Sequence, residues 1–371
     1  MFNIIFLFPF IIVMALFSFL TGFNIQKLIR EYDLFPKKKD RDIHKNKVPS
    51  SIGTGFLIVF TLGTIFYQES FVNVVDYTAL IVTLTIIVVL GFLDDLNALS
   101  SKKKILFQII AIGVFLYFNN HLIVNNLNFF LGITQISTIP SIIFTIFIGI
   151  IMINGLNLID GIDGFAAIVS MICSSLLAII FWSIGSSIPF LMSILIFAIL
   201  AGYLPINFSK TKKGFMGDSG SMFLGYLFFV LTLIYLQSDF IFFINVIKDK
   251  SVLPLAPLSI YIIPILDTLS IYYYRFSIGK KPLSADNFHL HHMMLHYINP
   301  NPLILSLIAG AFVVIFCFVI SILSYYCSAV IVISTYFAIL SFLILIVLYF
   351  KSKMRSQLKR ANGNVNQLNK N

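Results

Sequence analysis

The sequence predicts an all-α fold: a polytopic transmembrane helix bundle of about eleven spans, N-terminus outside and C-terminus cytoplasmic. Three observations predict it. Of the 371 residues, 59% are hydrophobic and 11% charged, with a mean hydropathy of +0.98, outside the range of water-soluble domains. Apolar runs close to the roughly 20 residues that cross a hydrocarbon core of about 30 Å recur from end to end. Lys and Arg collect in a few short segments between those runs.

In chain order, spans are expected at 3–26, 52–68, 74–93, 105–119, 136–153, 164–183, 188–204, 219–236, 252–274, 302–325 and 328–350. The first run lacks a basic n-region and a small-residue cleavage site, so it reads as a retained helix and not a signal peptide. Segments 27–47, 102–104, 210–213, 275–281 and 351–371 carry 23 of the 25 Lys and Arg, all on one side of an eleven-span chain. The positive-inside bias makes that side cytoplasmic. Only Lys248 and Lys250 lie opposite.

Residues 1–350 read as a single membrane domain and 351–371 as a basic cytoplasmic tail, polar throughout and so disordered or surface-lying. The net charge of +10 is mostly this topology signal, though it leaves the inner face attractive to anionic lipids and phosphates. Cys173, Cys317 and Cys327 fall in apolar spans without metal-type spacing and are given no role.

The fifteen acidic residues say more. Glu31, Asp33, Asp40 and Asp42 alternate with basic residues in the first inner loop, the pattern of a solvated face. Glu69, Asp76, Asp239 and Asp249 belong to short outer loops. The other seven, Asp94, Asp95, Asp160, Asp163, Asp218, Asp267 and Asp286, fall at or near the inner ends of spans. Charge at membrane depth is costly and marks function. A transporter would place such groups along a path through the bilayer, whereas these point to one site at the cytoplasmic interface.

Within "NGLNLIDGIDGF", Asn154, Asn157, Asp160 and Asp163 are spaced by three and would line one stripe if the helix continued. Gly161 and Gly164 permit a bend or close approach. Oxygen ligands at a wet helix end suit a hard cation such as Mg²⁺. In "FLDDLNALSSKKKILFQ" the adjacent carboxylates of Asp94 and Asp95 repel, which suits a proton acceptor beside a metal; Lys102, Lys103 and Lys104 read as orientation signals. In "KKGFMGDSGSMFLG", Asp218 is a helix cap or an exposed ligand, backed by Lys212 and Lys213 as phosphate contacts. The cluster His289, His291, His292 and His296 lacks the Cys or Glu of a zinc site, so hydrogen bonding to a diphosphate or sugar ranks above zinc. No P-loop or GxGxxG is present.

Taken together and in this order, "DDLNALS", "NGLNLIDGIDGF", "FMGDSGS" and "HLHH" resemble the polyprenyl-phosphate N-acetylhexosamine-1-phosphate transferases, over about residues 40–300. That family includes the enzymes that start O-antigen, enterobacterial common antigen and wall teichoic acid, and the phospho-MurNAc-pentapeptide translocase. The resemblance implies transfer of a sugar 1-phosphate from a UDP-sugar to undecaprenyl phosphate on the cytoplasmic face of the inner membrane. UMP is released, and Mg²⁺ is required, with Mn²⁺ as a substitute. It also implies Asp94 as the base that deprotonates the lipid phosphate, with Asp95 beside it, and Asp218 as the metal ligand assisted by Asn157. Asp160 and Asp163 would shape the nucleotide and metal site, and Phe215 would stack on uracil. Asn207, Lys212, Asp267, His289, His291 and His292 complete the substrate-binding set.

Two segments depart from the family. "SADNFHLHH" has Asn287 where a basic residue is common, and "HKNKVPSSIGTG" has Ser50 where Arg is expected, leaving a phosphate contact to Lys212 or Lys281. UDP-GlcNAc is the preferred donor because of HxHH. UDP-MurNAc-pentapeptide is the nearest rival, and a cation-coupled transporter is the rival of another class. Expected partners are the UDP-sugar, the polyprenyl phosphate and the membrane, with a homodimer left open and no nucleic acid.

Overall fold

The computed structural model describes residues 4–35, 48–71, 74–238, 249–279 and 289–368. Asp40, Asp42, Asp239, Lys248, Lys281, Asp286 and Asn287 lie outside them. The described helices are α1 (Ile4–Glu31), α2 (Thr54–Thr64), α3 (Gln68–Phe71), α4 (Tyr77–Leu96), α5 (Ser101–Phe118), α6 (Thr138–Ile159), α7 (Phe165–Ser183), α8 (Ser187–Asn207), α9 (Gly217–Leu236), α10 (Leu255–Ile260), α11 (Ile262–Ser277), α12 (Leu290–Tyr297), α13 (Pro302–Tyr326) and α14 (Ala329–Leu368).

Eight of these helices are long and apolar enough to cross a membrane, and a bent pair ending in α10 and α11 makes a ninth if counted as one span. The expected spans at 52–68 and 105–119 are helical as well. However, α2 has only 11 residues, and α5 opens on Lys102, Lys103 and Lys104.

Helix α9 is apolar on every face, the pattern of a helix enclosed by others, and every residue from Ser219 to Tyr235 is buried. It packs between α4 and α6. Small residues set the first crossing: a Cβ on Gly91 of α4 would lie 2.5 Å from the Ser219 Cα, so only glycine allows the two backbones this close. The end of α4 that carries Asp94 and Asp95 therefore lies directly on the start of α9, which carries Asp218.

The bend between α10 and α11, 78° across the break, has a local cause. Pro264 lacks an N–H and its ring clashes with the carbonyl four residues back, which is that of Ile260. The helix stops at Tyr261, and the freed Ile260 carbonyl accepts from the Cys173 thiol at 3.2 Å.

Two elements go beyond the sequence reading. In the 119–137 connection Asn126–Phe130 (β1) and Ile133–Gln135 (β2) pair as a small antiparallel hairpin, too short to show a period in sequence. The tail, expected as disordered or surface-lying, is helical as far as Leu368, the end of α14. Lys, Arg, Gln and Ala are good helix formers, so a helix emerging from an apolar span propagates through them without an apolar face.

Candidate active site

The site begins where α4 ends. Asp94, almost fully buried, accepts from the Leu99 N–H at 2.6 Å, which fixes the turn into α5. One turn into α5, the Lys104 ammonium bridges the two nearest carboxylates, 2.5 Å from Asp94 Oδ2 and 2.7 Å from Asp218 Oδ2. Burial would lower the Lys104 pKa, but the carboxylates of Asp218 and Asp94 outweigh that and hold it raised. Sequence reasoning missed this residue because a Lys run at a span end is already explained by orientation.

Asp95 faces the other way. Its carboxylate accepts from the Asp218 N–H at 2.8 Å, the Ser219 N–H at 3.3 Å, the Ser219 hydroxyl at 3.2 Å and the Ser51 hydroxyl at 2.7 Å. With its oxygens engaged in this way it braces the start of α9, which carries Asp218. Ser51 reaches Asp95 because 49–53 is laced to 215–216. The Ile52 and Gly53 N–H groups donate to the carbonyls of Phe215 and Met216, and the Phe215 N–H donates to that of Pro49. Ser51, next to the Ser50 departure noted in the sequence, thus gives part of the clamp on the Asp218 loop.

The acid loop follows α6. The expected stripe holds only in part, because the helix stops at Ile159. Asn154 points away from the acids and donates to Gln108 of α5 at 2.8 Å, so it joins helices and lies apart from the site. Asn157 does face the start of α9, donating to the Ser221 hydroxyl at 2.9 Å. Asp160 and Asp163 lie in the turn that follows. Removal from water, and then the carboxylates of Asp218, Asp95 and Asp163, push the Asp160 pKa up to about 8. This crowding of like charge favours a cation.

Gly164 closes the turn at φ +71°, a conformation that costs glycine little. Its N–H donates to Asn207 Oδ1 at 2.7 Å, and the Asn207 amide donates to the Tyr203 hydroxyl at 2.7 Å. Asn207 is therefore a buried brace of the acid loop, where a substrate contact was expected. Of the two phosphate-contact lysines, Lys213 reaches the acids, 2.5 Å from Asp163 Oδ2, and also lies over the Phe215 ring. Lys212, the expected contact, instead lies over Phe23 of α1. Phe215 itself lies three residues before Asp218, on the loop that opens α9.

The histidine arm comes from α11 and α12. Asp267, fully buried in α11, accepts from the Leu290 N–H at 2.7 Å and from His289 Nδ1 at 3.0 Å. That bond fixes the His289 ring and leaves its Nε2 for another partner. His291 stacks beside His289, their rings 3° from parallel, and its other neighbour is the ring of His292. The imidazole of His291 presses on Gly161, where any Cβ would overlap its ring. Among the described residues neither of its ring nitrogens has a hydrogen-bond partner. Burial, partly opposed by Asp267, pushes its pKa down to about 3, so it is neutral. The arm and the acid loop thus meet at Gly161.

Carboxylates, two lysines and stacked imidazoles are thus gathered where α4, α6 and α9 meet the loops that join them. Residues 77–236 match the family described as Glycosyl transferase family 4. The chain is 25% identical over 296 residues to an undecaprenyl-phosphate alpha-N-acetylglucosaminyl 1-phosphate transferase of Escherichia coli, covering 77% of this chain and 75% of that one. It is 28% identical over 301 residues to a probable undecaprenyl-phosphate N-acetylglucosaminyl 1-phosphate transferase of Bacillus subtilis, covering 77% and 78%. A shorter match, 32% over 106 residues, is to the enzyme of that name from Pasteurella multocida and spans 27% of each chain. The resemblance expected from the motifs is borne out, and the family match spans the helices that carry Asp94, Asn157 and Asp218.

Proposed function

We propose that this protein transfers N-acetylglucosamine 1-phosphate from UDP-GlcNAc to undecaprenyl phosphate, releasing UMP, as the first step of a cell-surface polysaccharide. The reaction would take place at the cytoplasmic face of the inner membrane, in an eleven-span chain whose N-terminus is outside. The observation that carries this reading is the convergence of Asp94, Asp218 and Lys104 with the acid loop and the histidine arm at one end of the bundle.

Mg²⁺, or Mn²⁺ in its place, fits the donors present. They are oxygens, and Mg²⁺ commonly takes only one or two carboxylates, filling its shell with water and substrate phosphate. Asp218 and Asn157 would hold it, and when bound it would neutralise the diphosphate and polarise the phosphoryl centre.

The chain's own residues account for the rest. Asp94, beside Lys104, takes the last proton of the lipid phosphate. An oxygen of that phosphate then attacks the phosphorus bonded to the sugar. As the new P–O bond forms, the bond from that phosphorus to the bridging oxygen breaks, and the oxygen leaves with UMP. Asp95 keeps Asp218 aimed, His289 offers its Nε2 to the diphosphate or sugar, and Phe215 with Lys213 forms the side that receives uracil. The carboxylates lie at head-group depth, where the lipid phosphate arrives without its chain leaving the bilayer.

The test is mass spectrometry of lipid extracted after incubating purified protein with undecaprenyl phosphate, Mg²⁺ and a panel of UDP-sugars. A GlcNAc-diphospholipid is expected. A product only from UDP-MurNAc-pentapeptide would replace the donor, and no product from any donor with folded protein would overturn the reading.

A further inference from the structure

The last helix contributes a buried charge that the reaction as described does not use. Lys351 of α14 is 0% exposed, and its Nζ lies 2.9 Å from the Ser270 hydroxyl, itself 0% exposed. A lysine at the end of a span ordinarily extends its ammonium to water, and enclosing it costs several kcal/mol unless nearby groups compensate. A methionine would fill the same space without that cost.

The surroundings of Lys351 lead to the site. Ser270 lies on α11 three residues after Asp267, and its hydroxyl is also 3.1 Å from the Asp267 main-chain oxygen. The Asp267 carboxylate holds the Leu290 N–H and His289, and so seats α12. His291 of that helix then rests on Gly161 of the acid loop. The ammonium is close enough for its charge to act on both Asp267 and His291. The sequence of contacts is unbroken: α14, Ser270, Asp267, His289 and Leu290, His291, acid loop.

We infer that Lys351 is a positioning residue of the transferase site, a buried cation from the last helix that locks α11 to α14 and keeps the Asp267–His289 arm seated against the loop facing the donor diphosphate. This rests on the transferase reading. It also gives the final span a task beyond anchoring, next to the packing of α11 on α6. Lys351 acts through Ser270 and Asp267 and need not touch substrate.

The test compares Lys351→Met and Lys351→Arg with wild type for kcat, KM for each substrate, melting temperature in detergent and hydrogen exchange across Leu290–Tyr297. The methionine variant is expected to lose about 10- to 100-fold in kcat, the range of supporting residues around a functional site. KM for the lipid and the melting temperature should hold, because an apolar chain in place of a buried ion is often neutral or stabilising. Exchange in α12 should rise, and arginine should recover kcat to within several-fold. Wild-type kcat in the methionine variant, a loss explained by a matching fall in melting temperature, or an arginine variant as impaired as the methionine one would overturn the inference. If wild type itself fails to turn over, the transferase reading fails. The exchange measurement, which needs no substrate, then decides Lys351 separately: unchanged exchange in the methionine variant would refute it.

Discussion

The two halves of the site solve opposite electrostatic problems. At the acid end, Asp94, Asp160, Asp163 and Asp218 face two lysines, Lys104 and Lys213, and like charge is left in excess. At the histidine arm, one carboxylate, Asp267, is hydrogen-bonded by His289 and by a backbone N–H, and the central imidazole, His291, is neutral and dry. On the proposed reading a cation and a phosphate complete the first half. The second is already balanced and supplies shape. A residue at the acid end should therefore fail in chemistry and one at the arm in placement.

The largest effect that would test this contrast is at Asp218. Asp218→Asn should lower kcat by about 10³-fold, the scale for removing a group that stabilises transition-state charge, with little change in melting temperature. A loss under tenfold would break the assignment of the acid end. Next is the comparison inside the adjacent pair. Asp94→Asn should cost about 10²- to 10³-fold in kcat, the scale of a proton acceptor. Asp95→Asn leaves the Lys104–Asp94 pair in place and weakens only the hydrogen bonds from Ser51, Ser219 and the Asp218 N–H, so it should cost about tenfold or less. If steady-state kinetics show Asp95→Asn to be the more impaired of the two, their roles are exchanged. A smaller effect is expected at the meeting point: Gly161→Ala forces the His291 ring away and should lower kcat by about tenfold, a misplacement of roughly 1 Å or less. Unchanged turnover would mean that the arm and the loop do not cooperate.

The smallest effect is in the pH dependence of stability, and its sign differs between the halves. His291, near 3 in the fold against 6.5 unfolded, binds its proton more readily in the unfolded chain, so stability falls as pH drops below about 6.5. Asp160, about 8 in the fold against 3.8 unfolded, binds its proton more readily in the fold, so stability falls as pH rises from about 4 to 8. Melting temperature should hold level from about pH 4 to 6.5, where the two trends oppose, and fall from about 6.5 to 8. His291→Gln should extend the fall down to about pH 4, while Mg²⁺ or Asp160→Asn should remove the fall above about 6.5. A fall above 6.5 that survives Asp160→Asn would mean the division is wrong.

Much of the acid end was legible in sequence, because carboxylates are rare in an apolar chain and their positions at span ends stand out. Their division of labour was not. Asp95 became a brace through partners more than a hundred residues away, and Asn207 through a loop N–H 43 positions back. Asn154 followed the three-residue spacing but turned to Gln108, because the helix ended before the stripe could continue. Lys104 and Lys351 were hidden for a shared reason: basic residues at span ends already explain topology, and only burial and distance single these two out. The bend at Tyr261 had its signal in Pro264, but a proline inside an apolar run does not say whether the helix kinks or breaks.

The most direct measurement is the stoichiometry of UMP release against lipid-linked product, with UDP-GlcNAc, undecaprenyl phosphate and Mg²⁺, for wild type and Asp218→Asn prepared side by side. The account predicts one UMP for each GlcNAc-diphospholipid in wild type and nearly none of either in the variant. UMP without the lipid product, or equal turnover in both proteins, would contradict it.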